Sequence, residues 1–239
     1  MDGMKKPIIG IIAKHKKTGV ARPDVFIRDE VEDAIFYNGG VAIGLLSPSE
    51  DITCVDPANE NVIYNNLDAV VTEEIKQDFI LQINLCNGII LQGGGESDAY
   101  EMWIAKYCHQ NNIPILAICA GFNNLVRGIG GSVKMLPNPQ KHNQPNAQYV
   151  HNIRIKNPSK FYDITRKELM LVNSRHKNTI DNPAGLEVVA YDDNSNIEVA
   201  LDPTKKFFMG MRFHPESLYK IDEACNNIFK AFIAACKNI

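Results

Sequence analysis

The sequence predicts an α/β protein in which a mostly parallel sheet is covered by helices on both faces. Short, continuously apolar segments alternate with amphipathic helical segments through the first half of the chain. Parallel strands are uniformly apolar because both of their faces are buried. A glycine run follows one of these strands and a cysteine follows another. Since ligands bind at the carboxyl ends of parallel strands, we expect a functional site along that edge of the sheet.

The elements of the first half follow from apolar runs and helical spacing. Four apolar segments are predicted strands: 7–13, 41–46, 88–92 and 113–118. Four segments with apolar side chains at helical spacing are predicted helices: 24–37, 73–85, 97–110 and 120–127.

The second half is less regular. Residues 128–146 are rich in Gly, Pro, Asn and Gln and are predicted to form a loop over the site. Short strands at hairpin-like spacing are predicted at 149–155, 169–172, 186–191, 197–201 and 207–213, with a turn at 192–196 and a closing helix at 222–236. No repeat, linker or low-complexity tract interrupts the chain, so we predict a single domain over residues 1–239.

Composition excludes several classes of function. The chain of 239 residues can bury a sizeable core, and its net charge of −3 offers no basic field for nucleic acid. No apolar run is long enough to span a membrane, and the run at 8–13 is too short for a signal peptide. The six cysteines form no Cys-x-x-Cys pair, which favours reduced thiols in a cytoplasmic protein over disulfides or a zinc site.

Cys119 is the strongest candidate for a catalytic residue. It ends a predicted buried strand and is followed by Ala120 and Gly121, small residues that permit a sharp turn into a helix. The N-terminus of that helix favours a thiolate. An isolated cysteine at a strand end is usually structural, so a second motif has to support the catalytic interpretation.

His214 and Glu216 supply that second motif. They lie two residues apart at the end of a predicted strand, so both side chains project to one face. Together with Cys119 they provide a nucleophile, a general base and a carboxylate that orients the base. Taken alone, the pair would be a strand end with a satisfied histidine and a solvated glutamate.

The glycine run at 93–95 is a candidate oxyanion hole. No Lys-Ser/Thr pair follows it, which argues against a phosphate-binding P-loop. The backbone N–H groups of Gly94, Gly95 and Ala120 could instead stabilise a tetrahedral oxyanion. The alternative is a plain turn that needs a positive φ.

Polar residues after another short strand are candidates for substrate binding. Four candidates follow the predicted strand at 169–172: Asn173, Ser174, Arg175 and His176. The fifth, Asn123, lies in the predicted helix after Cys119. Charged residues near strand ends could hold an amino-acid head group, although each is expected to be a surface charge: Glu96, Asp98, Arg127 and Arg212.

These motifs together resemble the class I glutamine amidotransferase-like fold. Within it, the chain is similar to the γ-glutamyl hydrolase group, peptidase family C26, which includes γ-glutamyl-γ-aminobutyrate hydrolase-like proteins. The matching segments, in chain order, are 7–11, 38–41, 91–98, the Cys119 turn with 130–131, 172–176 and 210–216. The resemblance implies a flavodoxin-like three-layer sandwich.

The resemblance also implies a reaction. Cys119 would be the nucleophile, His214 the general base and acid, and Glu216 its orienting group, with a thioester intermediate formed from a small γ-glutamyl amide. No metal or cofactor is implied. Four departures from the family pattern bear on the substrate: Ala117 for Gly, Ala120 for Arg, Lys177 for the second His, and Pro-Gln-Lys-His at 139–142 for an acidic stretch.

Three functions remain open from the sequence. The first is a free-standing cysteine hydrolase of γ-glutamyl amides. The second is a glutaminase subunit that supplies ammonia to a separate synthetase chain, since we expect no synthetase domain within 239 residues. The third is a non-catalytic binding protein on the same fold. We expect no nucleic-acid or membrane partner, and a homodimer is left open.

Overall fold

A computed structural model describes residues 5–16, 24–47, 67–94 and 98–237 of the chain. The strands in these ranges are β1 (Ile8–Ile12), β2 (Lys14–Lys16), β3 (Asp24–Phe26), β4 (Val41–Leu45), β5 (Gly88–Leu91), β6 (Ile115–Ile118), β7 (Ser132–Met135), β8 (His151–Ile155), β9 (Leu169–Val172), β10 (Asn178–Asn182), β11 (Glu187–Asp192), β12 (Ile197–Leu201) and β13 (Phe208–Met211).

The helices of the same ranges are α1 (Asp29–Tyr37), α2 (Leu67–Val70), α3 (Glu73–Ile83), α4 (Ala99–Gln110), α5 (Ala120–Gly128), α6 (Lys160–Thr165) and α7 (Glu223–Lys237). Short 3₁₀ turns cover Pro139–Lys141 and Pro215–Ser217. No helix in these described ranges is long and apolar enough to cross a membrane.

A nine-stranded sheet organises the molecule, in the order β4-β1-β5-β6-β13-β12-β11-β8-β9. The strands from β4 to β13 in that order are parallel, and the remaining strands extend the sheet in antiparallel fashion. The predicted α/β fold is confirmed. The antiparallel extension is built from the short strands that the hairpin-like spacing of the second half indicated.

Apolar side chains pack on both faces of the sheet. In β6, Leu116 and Ile118 join one apolar cluster, whereas Ile115 and Ala117 join the other. Helices α1, α6 and α7 contribute to the first cluster, and α3, α4 and α5 to the second. Because successive residues of a strand point to opposite faces, a strand covered on both sides is apolar throughout.

Several predicted boundaries differ from the structure. The predicted helix at 24–37 is wrong in its first part: β3 pairs with β2, and α1 begins at Asp29. The predicted loop at 128–146 contains β7, which pairs with β10, and the 3₁₀ turn at Pro139–Lys141. The second error arises because β7 pairs with β10, more than forty residues later, and a distant pairing partner leaves no local pattern in the sequence.

Gly121 fixes the close approach of α5 to the sheet. A Cβ atom at this position would overlap the backbone carbonyl of Leu91, at the end of β5. A backbone group held in a buried parallel strand cannot move aside as a flexible side chain would. The turn after Cys119 therefore depends on a glycine.

We predict that Gly121→Ala lowers the free energy of unfolding by about 3 kcal/mol or more, because the added methyl overpacks the backbone of β5. Urea denaturation would measure the change. Gly130→Ala is the control: Gly130 has a φ of 95° but no atom near its would-be Cβ, so only backbone strain of about 1–2 kcal/mol is expected. Equal effects of the two substitutions would contradict the packing argument.

Candidate active site

Cys119 occupies a strained turn at the carboxyl end of β6. Its φ is 52° and its ψ is −105°, and α5 begins at the next residue. Its backbone N–H donates to the carbonyl of Met211 in β13 at 2.8 Å, which places the residue between two parallel strands. A non-glycine residue with positive φ is uncommon and is typical of a nucleophile held in a strand-to-helix turn.

His214 and Glu216 form a buried pair beside this turn. The distance from His214 Nδ1 to Glu216 Oε1 is 2.7 Å. Nε2 of His214 is buried and has no hydrogen-bond partner among the described nitrogen and oxygen atoms. A Cβ built on Gly93 would lie 2.7 Å from the His214 ring and 3.4 Å from the Cys119 Cβ, so the three residues converge. The free ring nitrogen is therefore the one available to the thiol.

Asn173 holds the backbone of His214 in place. Its side-chain amide donates to the His214 carbonyl at 2.9 Å, and its Oδ1 accepts from the His214 N–H at 2.7 Å. Asn173 is buried, so it positions the histidine from behind and does not line the cleft.

The electrostatics of the site favour a thiolate–imidazolium pair. Burial alone would raise the pKa of Cys119, but the charge and hydrogen bonding of His214, with a smaller contribution from Arg212, lower it to about 7. Burial acts to lower the pKa of His214, whereas Glu216 and the thiolate together raise it to about 10. Each member of the pair thus stabilises the charged form of the other.

The site opens into a cleft with a volume of about 480 Å³. The cleft is lined by Cys119, His214, Gly94 and Ala120, and also by four cationic residues: Arg28, Arg175, Lys177 and Arg212. No acidic side chain is among its lining residues in the described part of the chain. The cleft therefore favours a ligand with negative charge.

Two of the predicted oxyanion donors, Gly94 and Ala120, line the cleft with Cys119. Gly94 has a φ of 85°, a left-handed conformation that favours glycine, and it lines the cleft with Ala120. Arg28 packs against this glycine turn, and its Nε donates to the carbonyl of Gly93 at 3.2 Å. Gly95, the third predicted donor, lies outside the described residues, as does Glu96.

The predicted substrate-binding residues separate into two groups. Asn123, Arg175 and His176 line the cleft. Asn173 and Ser174 are buried behind it; the carbonyl of Ser174 accepts a hydrogen bond from Gln144 at 3.0 Å.

Three residues expected as surface charges are buried instead: Asp98, Arg127 and Arg212. Arg212 is held by protein carbonyls, since its Nη1 donates to Cys119 at 3.3 Å and its Nη2 donates to Asn178 at 2.6 Å. It also donates to the side chain of Asn123. A buried guanidinium needs such partners, and a sequence gives no direct sign of them.

Sequence reasoning missed Arg28, and it did not group His176, a predicted substrate-binding residue, with the other histidines beside the cleft. His142, His151 and His176 lie with Glu198 in a group whose potential ligand atoms all lie within 4.8 Å of one another. Burial raises the pKa of Glu198 well above its usual range, and Arg212 only partly opposes that effect. One signal was present: Glu198 is the only charged residue in the apolar strand β12.

Comparison with known proteins identifies the family. Residues 92–216 match the family model of peptidase C26. A GMP synthase [glutamine-hydrolyzing] from Streptococcus thermophilus is 32% identical over 165 residues, covering 67% of this chain and 29% of that protein. The corresponding protein of Blochmanniella floridana is 27% identical over 147 residues, covering 59% of this chain and 28% of that protein. The matched region thus spans less than a third of these curated relatives.

Solved structures share the fold. The glutaminase domain of Trypanosoma brucei CTPS, with bound acivicin, has a TM-score of 0.65 at 18% identity and covers 97% of this chain and 94% of its own. A glutamine amidotransferase from Thermotoga maritima has a TM-score of 0.59 at 14% identity and covers 98% of this chain and 100% of its own.

The fold and the site define a class of enzyme, the glutamine amidotransferase and peptidase C26 class. The chain belongs to the peptidase C26 family, among the class I glutamine amidotransferase-like proteins.

We predict that iodoacetamide modifies Cys119 before the other cysteines, with a rate that rises with pH around a midpoint near 7. The thiolate is the reactive species, and burial raises the pKa of Cys86 to about 11 and of Cys236 to about 12. Peptide mapping by mass spectrometry would identify the modified residue, including Cys54, which lies outside the described residues.

Cys119→Ala is the control for this labelling and should remove the fast phase. His214→Ala should move the midpoint upward from about 7, because burial is then opposed only by the smaller effect of Arg212. An unchanged midpoint in that variant would show that His214 does not stabilise the thiolate.

Proposed function

We propose that the protein hydrolyses the γ-glutamyl amide bond of a small γ-glutamyl compound through a thioester on Cys119. The observation that carries the proposal is the thiol with a pKa of about 7 in a strained turn beside the His214–Glu216 pair. Acyl transfer to a cysteine requires a thiolate at neutral pH, a group that carries the proton and a carboxylate that orients this group.

The reaction balances with these residues alone. Cys119 Sγ attacks the amide carbonyl carbon, and the N–H groups of Gly94 and Ala120 stabilise the oxyanion that forms. His214 gives its proton to the leaving amine as the C–N bond breaks. Water then attacks the thioester while His214 takes a proton from it. The C–S bond breaks, Cys119 leaves as the thiolate, and the carboxylic acid product loses its proton to solvent as glutamate, so the thiolate–imidazolium pair is restored.

The acyl side of the substrate matches the charge of the cleft. A γ-glutamyl group carries an α-carboxylate, and Arg28 and Arg175 line the cleft beside Gly94 and His176. Arg175 lies 4.0 Å from Glu30, a separation too long for a strong ion pair, so its guanidinium can still bind a substrate anion. We propose that one of these arginines binds the α-carboxylate.

A second candidate function is supported by the relatives. Both curated relatives carry the name GMP synthase [glutamine-hydrolyzing], and the region matched covers 28–29% of their length. On that comparison the chain would be a glutaminase that releases ammonia from glutamine for a separate synthetase chain. The two candidates share the chemistry at Cys119 and differ in the leaving group and in dependence on a partner.

We predict that the purified protein, without ATP or another chain, releases glutamate from at least one γ-glutamyl amide faster than from free glutamine. Mass detection of glutamate across a panel of γ-glutamyl compounds would measure this preference. Cys119→Ala protein is the blank for contaminating activity. A preference for glutamine that emerges only when a synthetase chain is added would support the glutaminase instead.

The proposed roles predict a graded loss of activity. Cys119→Ala and His214→Ala should each lower kcat by at least about 10⁴-fold, because nucleophile and base act as one unit. The loss of kcat in Glu216→Gln should be about 100-fold smaller than in either of these variants, since Glu216 orients the imidazole and transfers no proton. Steady-state kinetics on the best substrate would measure the series, with circular dichroism to check folding. A wild-type kcat in the Glu216→Gln variant would contradict the orienting role assigned to Glu216.

A further inference from the structure

We propose that His142, His151, His176 and Glu198 bind one divalent transition-metal ion, with Zn²⁺ the best match, beside the catalytic cleft. One potential ligand atom from each residue lies within 4.8 Å of all the others. The three imidazole rings are mutual neighbours, with ring centroids 4.6, 5.0 and 6.3 Å apart. The inference is independent of the reaction proposed for Cys119.

Each histidine has one ring nitrogen fixed by a protein oxygen. The fixed nitrogens are Nε2 of His142, 3.3 Å from Asp192, Nδ1 of His151, 3.2 Å from the Asn152 carbonyl, and Nδ1 of His176, 2.9 Å from the Asn178 carbonyl. Metal-binding histidines almost always have such a partner on the second nitrogen, because it fixes the tautomer and the ring orientation.

The opposite nitrogens are left for a ligand. Nδ1 of His142 and Nε2 of His151 and His176 are buried and have no hydrogen-bond partner among the described residues. Both oxygens of Glu198 share this condition, and its side chain is fully buried. Buried polar atoms nearly always have partners, so several unsatisfied atoms facing one another require an explanation.

Direct hydrogen bonds do not provide that explanation. Glu198 Oε1 lies 3.6 Å from His176 Nε2 and 3.9 Å from His151 Nε2, beyond hydrogen-bond distance. In tetrahedral zinc sites with bonds near 2.0–2.1 Å, neighbouring ligand atoms are about 3.3 Å apart. The two Glu198 separations are a few tenths of an ångström longer than this, and the whole group, whose ligand atoms lie within 4.8 Å of one another, would contract on binding an ion.

The donor set and the local charge both suit zinc. Three imidazoles and one carboxylate complete a four-coordinate site without water, the arrangement of a structural site, and neutral imidazole suits zinc among the divalent ions. Arg212 is a nearby cation that opposes a second positive charge. The carboxylates of Glu198 and Asp192 offset the two charges of the ion.

A metal at this position would hold one wall of the cleft. His142 precedes Asn143 and Pro145, which line the cleft, and His176 lines it directly. Asn143 already forms a backbone bridge with Arg175. The ion would tie this segment to β8 and β12, so its role is to position the cleft wall and not to act on the substrate.

The test uses the full-length Cys119→Ala protein, because the catalytic thiolate could itself bind metal. After metal is stripped with a chelator, calorimetric titration with Zn²⁺ should give one tight site per chain, and Co²⁺ should give the visible absorption of a four-coordinate ion. His109→Ala is the matched control, since His109 also pairs with a carboxylate, Asp202, at 2.8 Å but lies outside the cluster. It should bind zinc like its parent.

Two conservative substitutions, each made in the Cys119→Ala background, remove one proposed ligand. We choose them because replacing a buried ligand with alanine could prevent folding. Glu198→Gln and His142→Asn should each weaken zinc binding by at least about 100-fold, and zinc should no longer raise their Tm. Tm in the absence of metal reports their folding. Absence of stoichiometric binding in the parent, or unchanged binding in both variants, would overturn the proposal.

Discussion

The close backbone packing at the end of β6 is the constraint on which the site depends. Cys119 adopts a positive φ because α5 must begin immediately after the strand, and Gly121 lets that helix lie against the backbone of Leu91. The same turn is tied to β13 through the hydrogen bond from the Cys119 N–H to Met211. The backbone strain at Cys119 is therefore sustained by buried strands on both sides, and not by the thiol's own contacts.

Burial gives this geometry its electrostatic effect. In water, a thiol and an imidazole a few ångströms apart interact weakly, but in the interior their mutual stabilisation outweighs the desolvation of the thiolate. Arg212 adds a third charge near the thiol, and its Nη1 and Nη2 atoms donate to the carbonyls of Cys119 and Asn178. The arginine thus contributes a field at the thiol while its geometry is fixed by the backbone.

The sequence predicted those features whose cause is local. The buried parallel strands, the turn at Cys119 and the pairing of His214 with Glu216 all follow from apolar runs, small residues and a two-residue spacing. Features set by distant partners could not be predicted. Arg212 was expected at the surface because its carbonyl partners are visible only in the fold, and β7 was assigned to a loop because its partner β10 lies more than forty residues later.

The parallel and antiparallel parts of the sheet position different residues around the cleft. The parallel half delivers Cys119 and the glycine turn, whereas the antiparallel strands β8 and β12 carry His151 and Glu198, which lie close to the cleft residue His176. His142, in the segment 139–142 where the resemblance leads us to expect an acidic stretch, belongs to the same cluster. A change in that wall leaves the backbone of the turn at Cys119 in place, because the turn is held by β5 and β13.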